Sequence, residues 1–169
     1  GRPSLHYEVV MGIRLPRALN AFLVGGMLAV AGALMQVLLR NPLADPYILG
    51  ISGGAAVGAL SAILIGASGW WLSNAAFAGA LMSVAIVFGI ANRFGSWSVT
   101  RLLLTGVVVS AGWGAVINIL LTTSSSNNVQ SMLFWLMGDL SQSDVGRIHY
   151  LLLAAGLIGG LIVSRSLNV

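Results

Sequence analysis

The chain contains no cysteine and no lysine, and only four acidic residues among its 169. Without cysteine there are no disulfide frameworks, thiolate metal ligands or cysteine nucleophiles. Charged residues make up 7% of the chain and hydrophobic residues 57%, where soluble domains carry roughly a quarter charged residues, so a water-soluble fold is not expected. The net charge of +4 comes from eight arginines spread along the chain without a basic cluster. The basic balance therefore reports a shortage of acids, and no nucleic-acid partner is expected. No Ser/His/Asp set, histidine metal pair, phosphate loop or pair of intramembrane carboxylates can be assembled, so the chain is not expected to be an enzyme, to hold a metal or to bind a cofactor itself. His6 and His149 read as loop or interfacial residues, and Trp70, Trp71 and Trp97 fall where an aromatic belt would lie.

What the chain does have is long charge-free runs. A helix that crosses a bilayer needs about 20 apolar residues. Residues 18–39 fit one span. The interval 46–92 is 47 residues long, and its polar, glycine-rich stretch 66–74 divides it into spans at 48–65 and 75–91. The interval 102–138 is divided by the polar run 122–130 into a span at 102–121 and a short apolar piece, 132–137, read as a short helix over about 129–137. Residues 148–163 make a last, shorter span. The expected fold class is all-α, a polytopic transmembrane bundle of five membrane helices plus one short helix, in which each helix satisfies its own backbone hydrogen bonds. The chain opens on Gly1-Arg2-Pro3-Ser4 and its first apolar run is too long and too late for a signal peptide, so it reads as a piece of a longer protein.

The arginines do not orient this bundle: Arg2, Arg14, Arg17 and Arg147 fall on one side, Arg40, Arg93, Arg101 and Arg165 on the other. Glu8, Asp139 and Asp144 accompany the first set and Asp45 the second, and the second side is read as cytoplasmic.

Helices in lipid associate through close packing of small residues. Gly50, Gly54 and Gly58 recur every four residues, as do Gly106, Ser110 and Gly114; Gly156 and Gly160 recur on the last span, and Gly25, Ala29 and Gly32 on the first. These faces point to a compact transporter or channel core. Asn118 continues the Gly106 stripe; it and Gln36 read equally as lining a pathway or as interhelical hydrogen-bonding groups. Charges are almost missing inside the spans, which argues against a proton-coupled carrier built on buried carboxylates.

Two local patterns are more pointed. Arg14-Leu15-Pro16-Arg17 puts two arginines three residues apart just before the first span, where they read either as snorkelling groups or as a bidentate grip on a partner's carboxylates. Arg40-Asn41-Pro42-Leu43-Ala44-Asp45-Pro46, followed at once by Leu49-Gly50-Ile51-Ser52-Gly53-Gly54, stops one helix and starts the next, and reads as a structured break formed by Asn41, Pro42, Asp45 and Pro46.

These segments, together with Ala31-Gly32-Ala33-Leu34-Met35-Gln36, Arg101-Leu102-Leu103-Leu104-Thr105-Gly106-Val107 and Phe134-Trp135-Leu136-Met137-Gly138-Asp139-Leu140, resemble in order and spacing the permeases of type II ATP-binding-cassette importers for iron-siderophores, haem and cobalamin. The resemblance implies a permease of about ten helices, of which residues 1–169 form a partial transmembrane domain containing the first member of an inverted repeat. It implies as partners a second permease subunit, two ATP-binding subunits that hold ATP and Mg, an extracytoplasmic substrate-binding protein and the lipid of a bacterial inner membrane. It places Arg14 and Arg17 outside the cytoplasm as docking residues for the binding protein, and Ser110, Asn118, Trp135 and Gly138 along the pathway or at its outer mouth. Residues 165–169 resemble the segment that runs into the coupling helix of such permeases, and the chain stops there. The expected cargo is a metal chelate, a ferric siderophore first, with haem and cobalamin open. The alternatives are an ion-coupled secondary carrier or channel core, which needs ion-coordinating groups inside the spans, and a scaffold whose glycine faces only bind partner helices.

Overall fold

A computed structural model of the chain describes residues 5–93 and 98–140, together with Ala154, Gly156 and Ile158. The expected span at 148–163 falls outside the described residues except at those last three positions, which are helical. His149, Gly160, Trp97 and the arginines at 2, 147 and 165 also lie outside them. The described residues form helices and turns, with no strand among them. The chain divides into two compact units, Gly1–Ala44 with Asp139–Val169, and Asp45–Gly138.

In the first unit, α1 (Leu5–Val9), a π-helical stretch (Val10–Arg14) and α2 (Leu15–Leu39) follow one another without a break. The first span is expected over 18–39, with Arg14-Leu15-Pro16-Arg17 just before it; the helix instead runs straight through this tetrapeptide. Proline explains the π-helical stretch. Pro16 has no N–H to offer the Gly12 carbonyl and its ring crowds that carbonyl, so the turn before it widens, and the Leu15 N–H bonds back to the Val10 carbonyl, five residues away. The far end of α2 closes at Arg40, whose left-handed conformation (φ 49°) lets the N–H groups of Arg40 and Asn41 return to the carbonyls of Val37 and Gln36, at 3.2 and 3.1 Å.

The second unit starts with a 3₁₀ turn (Pro46–Leu49), followed by α3 (Ile51–Leu64), α4 (Trp70–Asn92), α5 (Val99–Thr123) and α6 (Ser126–Met137). The expected continuous span at 48–65 is divided by Gly50, which takes φ +67° and ends the helical path. What remains, α3, is 14 residues, about 21 Å long at 1.5 Å per residue, against about 30 Å of hydrocarbon. Among the described residues three helices are long and apolar enough to cross a membrane: His6–Leu39, Trp70–Asn92 and Val99–Thr123. The expected spans 18–39, 75–91 and 102–121 fall inside them.

The polar run at 122–130 divides α5 from α6 later than its composition suggests. Thr122, Thr123 and Ser124 satisfy their hydroxyls on the α5 carbonyls of Asn118, Ile119 and Leu120, and α5 continues to Thr123. Ser125, in extended conformation, then starts α6 three residues earlier than the expected 129–137, and Gly138 (φ +79°) ends it. Met132 of α6 is fully buried, and α6 packs on α3.

Candidate functional site

On each side of the helix break the backbone is held by its own side chains. The Asn41 Oδ1 accepts the Leu43 N–H at 2.9 Å, and the Ala44 N–H returns to the Asn41 carbonyl at 3.0 Å. The Asp45 Oδ1 accepts the Tyr47 N–H at 2.7 Å, capping the 3₁₀ turn that Pro46 opens. Asparagine and aspartate bond the backbone two residues on, and each of the two prolines removes a donor and fixes φ, so Asn41 with Pro42, and Asp45 with Pro46, each order their own turn.

Glycines seat α3 against its neighbours. A Cβ added at Gly54 would strike the Gly79 carbonyl and one at Gly58 the Ala75 carbonyl, so α3 and α4 touch backbone to backbone. Because 54 meets 79 while 58 meets 75, the two helices run antiparallel, as the short turn through Gly66 and Gly69 requires. Gly106 brings α5 against the Ile48 carbonyl of the 3₁₀ turn in the same manner. At Gly114, as at Gly25, Gly32 and Gly156, an added Cβ meets nothing within 4 Å among the described residues. The α5 contact is instead carried by Leu102, Gly106, Ser110 and Trp113, at steps of four, four and three that average near the helical 3.6, whereas strict steps of four drift about 40° each around the helix and carry Gly114 off the seam.

At the centre of these contacts lies a polar junction. The Ser83 hydroxyl, fully buried on α4, donates toward the carbonyls of Leu49 and Gly50 at 3.0 and 2.9 Å. The Trp113 indole N–H, from α5, donates to the Ser83 Oγ at 2.9 Å. Gly50 is walled in: a Cβ there would lie 3.0 Å from the Ser83 Oγ, 3.1 Å from the Ser110 Oγ and 3.4 Å from the Trp113 ring. Gly53 faces the same ring, with the Trp113 Cβ 2.7 Å from where its own Cβ would stand. No buried side-chain nitrogen or oxygen among the described residues lacks a hydrogen-bond partner.

The remaining expected site residues are dispersed. Arg14 and Arg17 are exposed, Arg14 ending the π-helical stretch and Arg17 in the first turn of α2. Ser110 is half-buried at the Gly50 junction, so it sits on a packed face, while Asn118, two turns further along α5, is exposed. Trp135 is half-buried on α6 and Gly138, exposed, closes that helix, its N–H bonding the Trp135 carbonyl at 3.1 Å. No group of three or more His, Asp or Glu among the described residues is placed to hold a metal ion.

Sequence reasoning missed Ser83 and Trp113, although both left a signal. Ser83 is the one polar side chain in the apolar interval 75–91, and Trp113 stands in the middle of a long apolar helix, away from the ends where membrane-interface tryptophans sit.

Three apolar helices of spanning length and a helix broken beside a glycine-rich seam fit a multi-pass α-helical membrane protein. The chain belongs to the FecCD transport family, whose model matches residues 1–169. It is 42% identical over 149 residues to the cobalamin import system permease of Halobacterium salinarum, covering 85% of this chain and 39% of that protein. It is 41% identical over 138 residues to the vitamin B12 import system permease of Salmonella paratyphi A, covering 80% of this chain and 42% of that one. A solved transporter assigned to the metal-chelate ABC type, in an inward-facing conformation, matches with a TM-score of 0.74 at 29% identity over 99% of this chain and 53% of its own. The chain thus spans about two fifths of the length of the curated relatives it matches.

Proposed function

We propose that this chain forms part of the translocation pathway of an ATP-driven importer for a metal chelate, in the inner membrane of a bacterium. The observation that carries the reading is the family match across all of residues 1–169 on a helical framework shared with a metal-chelate transporter. ATP and Mg belong, in this reading, to two separate ATP-binding subunits, and a second permease subunit completes the pathway. Arg14 and Arg17, exposed and three residues apart, serve as the docking point for acidic groups of a substrate-binding protein. Asn118, Trp135 and Gly138 line the pathway or its mouth; Ser110 supports it from the packed side of α5.

The cargo expected from the resemblance is a ferric siderophore. A second reading, cobalamin, is favoured by the relatives at 41 and 42% identity, both of which carry that substrate in their names. Co-purification of the protein with its ATP-binding and substrate-binding subunits, for wild type and for Arg14→Glu with Arg17→Glu, tests the assembly. The wild type is expected to retain both partners and the double variant to lose the binding protein alone. Retention of neither by the wild type would return the ion-coupled carrier to first place. Uptake of radiolabelled cobalamin against radiolabelled ferric siderophore by reconstituted complex separates the two cargoes.

A further inference from the structure

We propose that Ser83 and Trp113 form a latch that locks the joint at Gly50, so that the 3₁₀ turn, α3, α4 and α5 behave as one rigid block and the glycine-rich break is not a hinge. A left-handed glycine between two helical pieces, followed within four residues by Gly53 and Gly54, has the composition of a flexible joint. The contacts around it remove that freedom. The Ser83 hydroxyl bonds one carbonyl from each arm, Leu49 at the end of the turn and Gly50 at the start of α3, so both arms are tied to the same atom of α4. The Trp113 N–H occupies the acceptor side of that oxygen, which leaves the serine proton only the two carbonyls to serve.

Each arm is also pinned independently of the latch. Gly106 presses on the Ile48 carbonyl on the turn side, and Gly54 meets Gly79 on the α3 side. The Trp113 ring and the Ser83 and Ser110 hydroxyls close in the side of Gly50 where a Cβ would stand, leaving no room there for a side chain. Opening the joint takes the Ser83 hydroxyl and the Trp113 indole N–H away from these partners in an apolar surround, where an unpaired polar group is costly, while the Gly50 carbonyl keeps the Gly54 N–H at 3.0 Å. Ser83 and Trp113 are in this sense positioning residues: they set where α5 lies against the break.

The absence of native cysteine allows a direct test on the purified protein in lipid nanodiscs. Spin labels at Tyr47→Cys and Leu64→Cys, both exposed, report the distance across the joint. Wild type is expected to give a single narrow distribution, Ser83→Ala a broader one and Trp113→Phe an intermediate one. Combining Ser83→Ala with Trp113→Phe should broaden it no further than Ser83→Ala alone, because Trp113 acts through the serine hydroxyl. A broad or bimodal wild-type distribution overturns the proposal, as does a narrow distribution that both variants leave unchanged. Should Ser83→Ala fail to fold, the ultraviolet resonance Raman band of the indole N–H, taken as wild type minus Trp113→Phe, decides the geometry: a hydrogen-bonded indole is expected, and a free N–H overturns the latch.

Discussion

Glycine at 54 is there because a backbone carbonyl occupies the space of its missing side chain. Gly54→Ala is therefore expected to destabilise the protein by about 1–3 kcal/mol, read by thermal unfolding in detergent, since neither α3 nor α4 can yield locally. Gly114→Ala is the contrasting case: with nothing among the described residues within 4 Å it is expected to be neutral or to gain about 0.5–1 kcal/mol from the higher helix preference of alanine. At the start of the 3₁₀ turn, Asp45→Ala removes the cap of the Tyr47 N–H and is expected to cost about 1 kcal/mol, while Asp45→Asn keeps the acceptor and most of the stability. The close contacts at Gly54, Gly58 and Gly106 were legible in the four-residue spacing; the open surroundings of Gly114 were not, because spacing identifies a stripe and the drift of that stripe around α5 depends on where the neighbouring backbone lies.

Along α5 the two ends of the expected pathway stripe differ in environment. Ser110 backs onto Gly50, while Asn118 is exposed two turns on. Introduced singly into the cysteine-free chain, Asn118→Cys is expected to react readily with a water-soluble thiol reagent in the assembled complex and Ser110→Cys to be protected. The reverse order would remove Asn118 from the pathway. Elements and turns were readable where one residue type dictates local backbone, as at Asn41-Pro42 and Asp45-Pro46. They were misread where a local signal admitted two outcomes. The tetrapeptide around Pro16 reads as lying just before the span at 18–39 but sits inside a continuous helix, with the π-helical stretch absorbing the proline's missing donor. The polar run after residue 121 reads as a break by composition, yet its hydroxyls bond back onto the carbonyls of a helix that continues to Thr123.

For the molecule as a whole, 57% hydrophobic content and three described helices of spanning length lead to the expectation that the expressed protein stays in the membrane pellet after alkaline carbonate extraction; release into the supernatant would contradict a multi-pass arrangement. Composition and hydropathy are sums over the chain, so the sequence by itself determined the membrane class, the all-helical architecture, the absence of thiol chemistry and, through motifs in order, the family. Only the tertiary structure decided what closes the break at Gly50. The Ser83 bonds to Leu49 and Gly50 and the Trp113 bond to Ser83 join residues 30 to 34 positions apart. No local preference encodes such pairings. They arise because the antiparallel packing of α3 on α4, and the approach of Gly106 to the Ile48 carbonyl, deliver one hydroxyl and one indole N–H to the two carbonyls beside the broken helix.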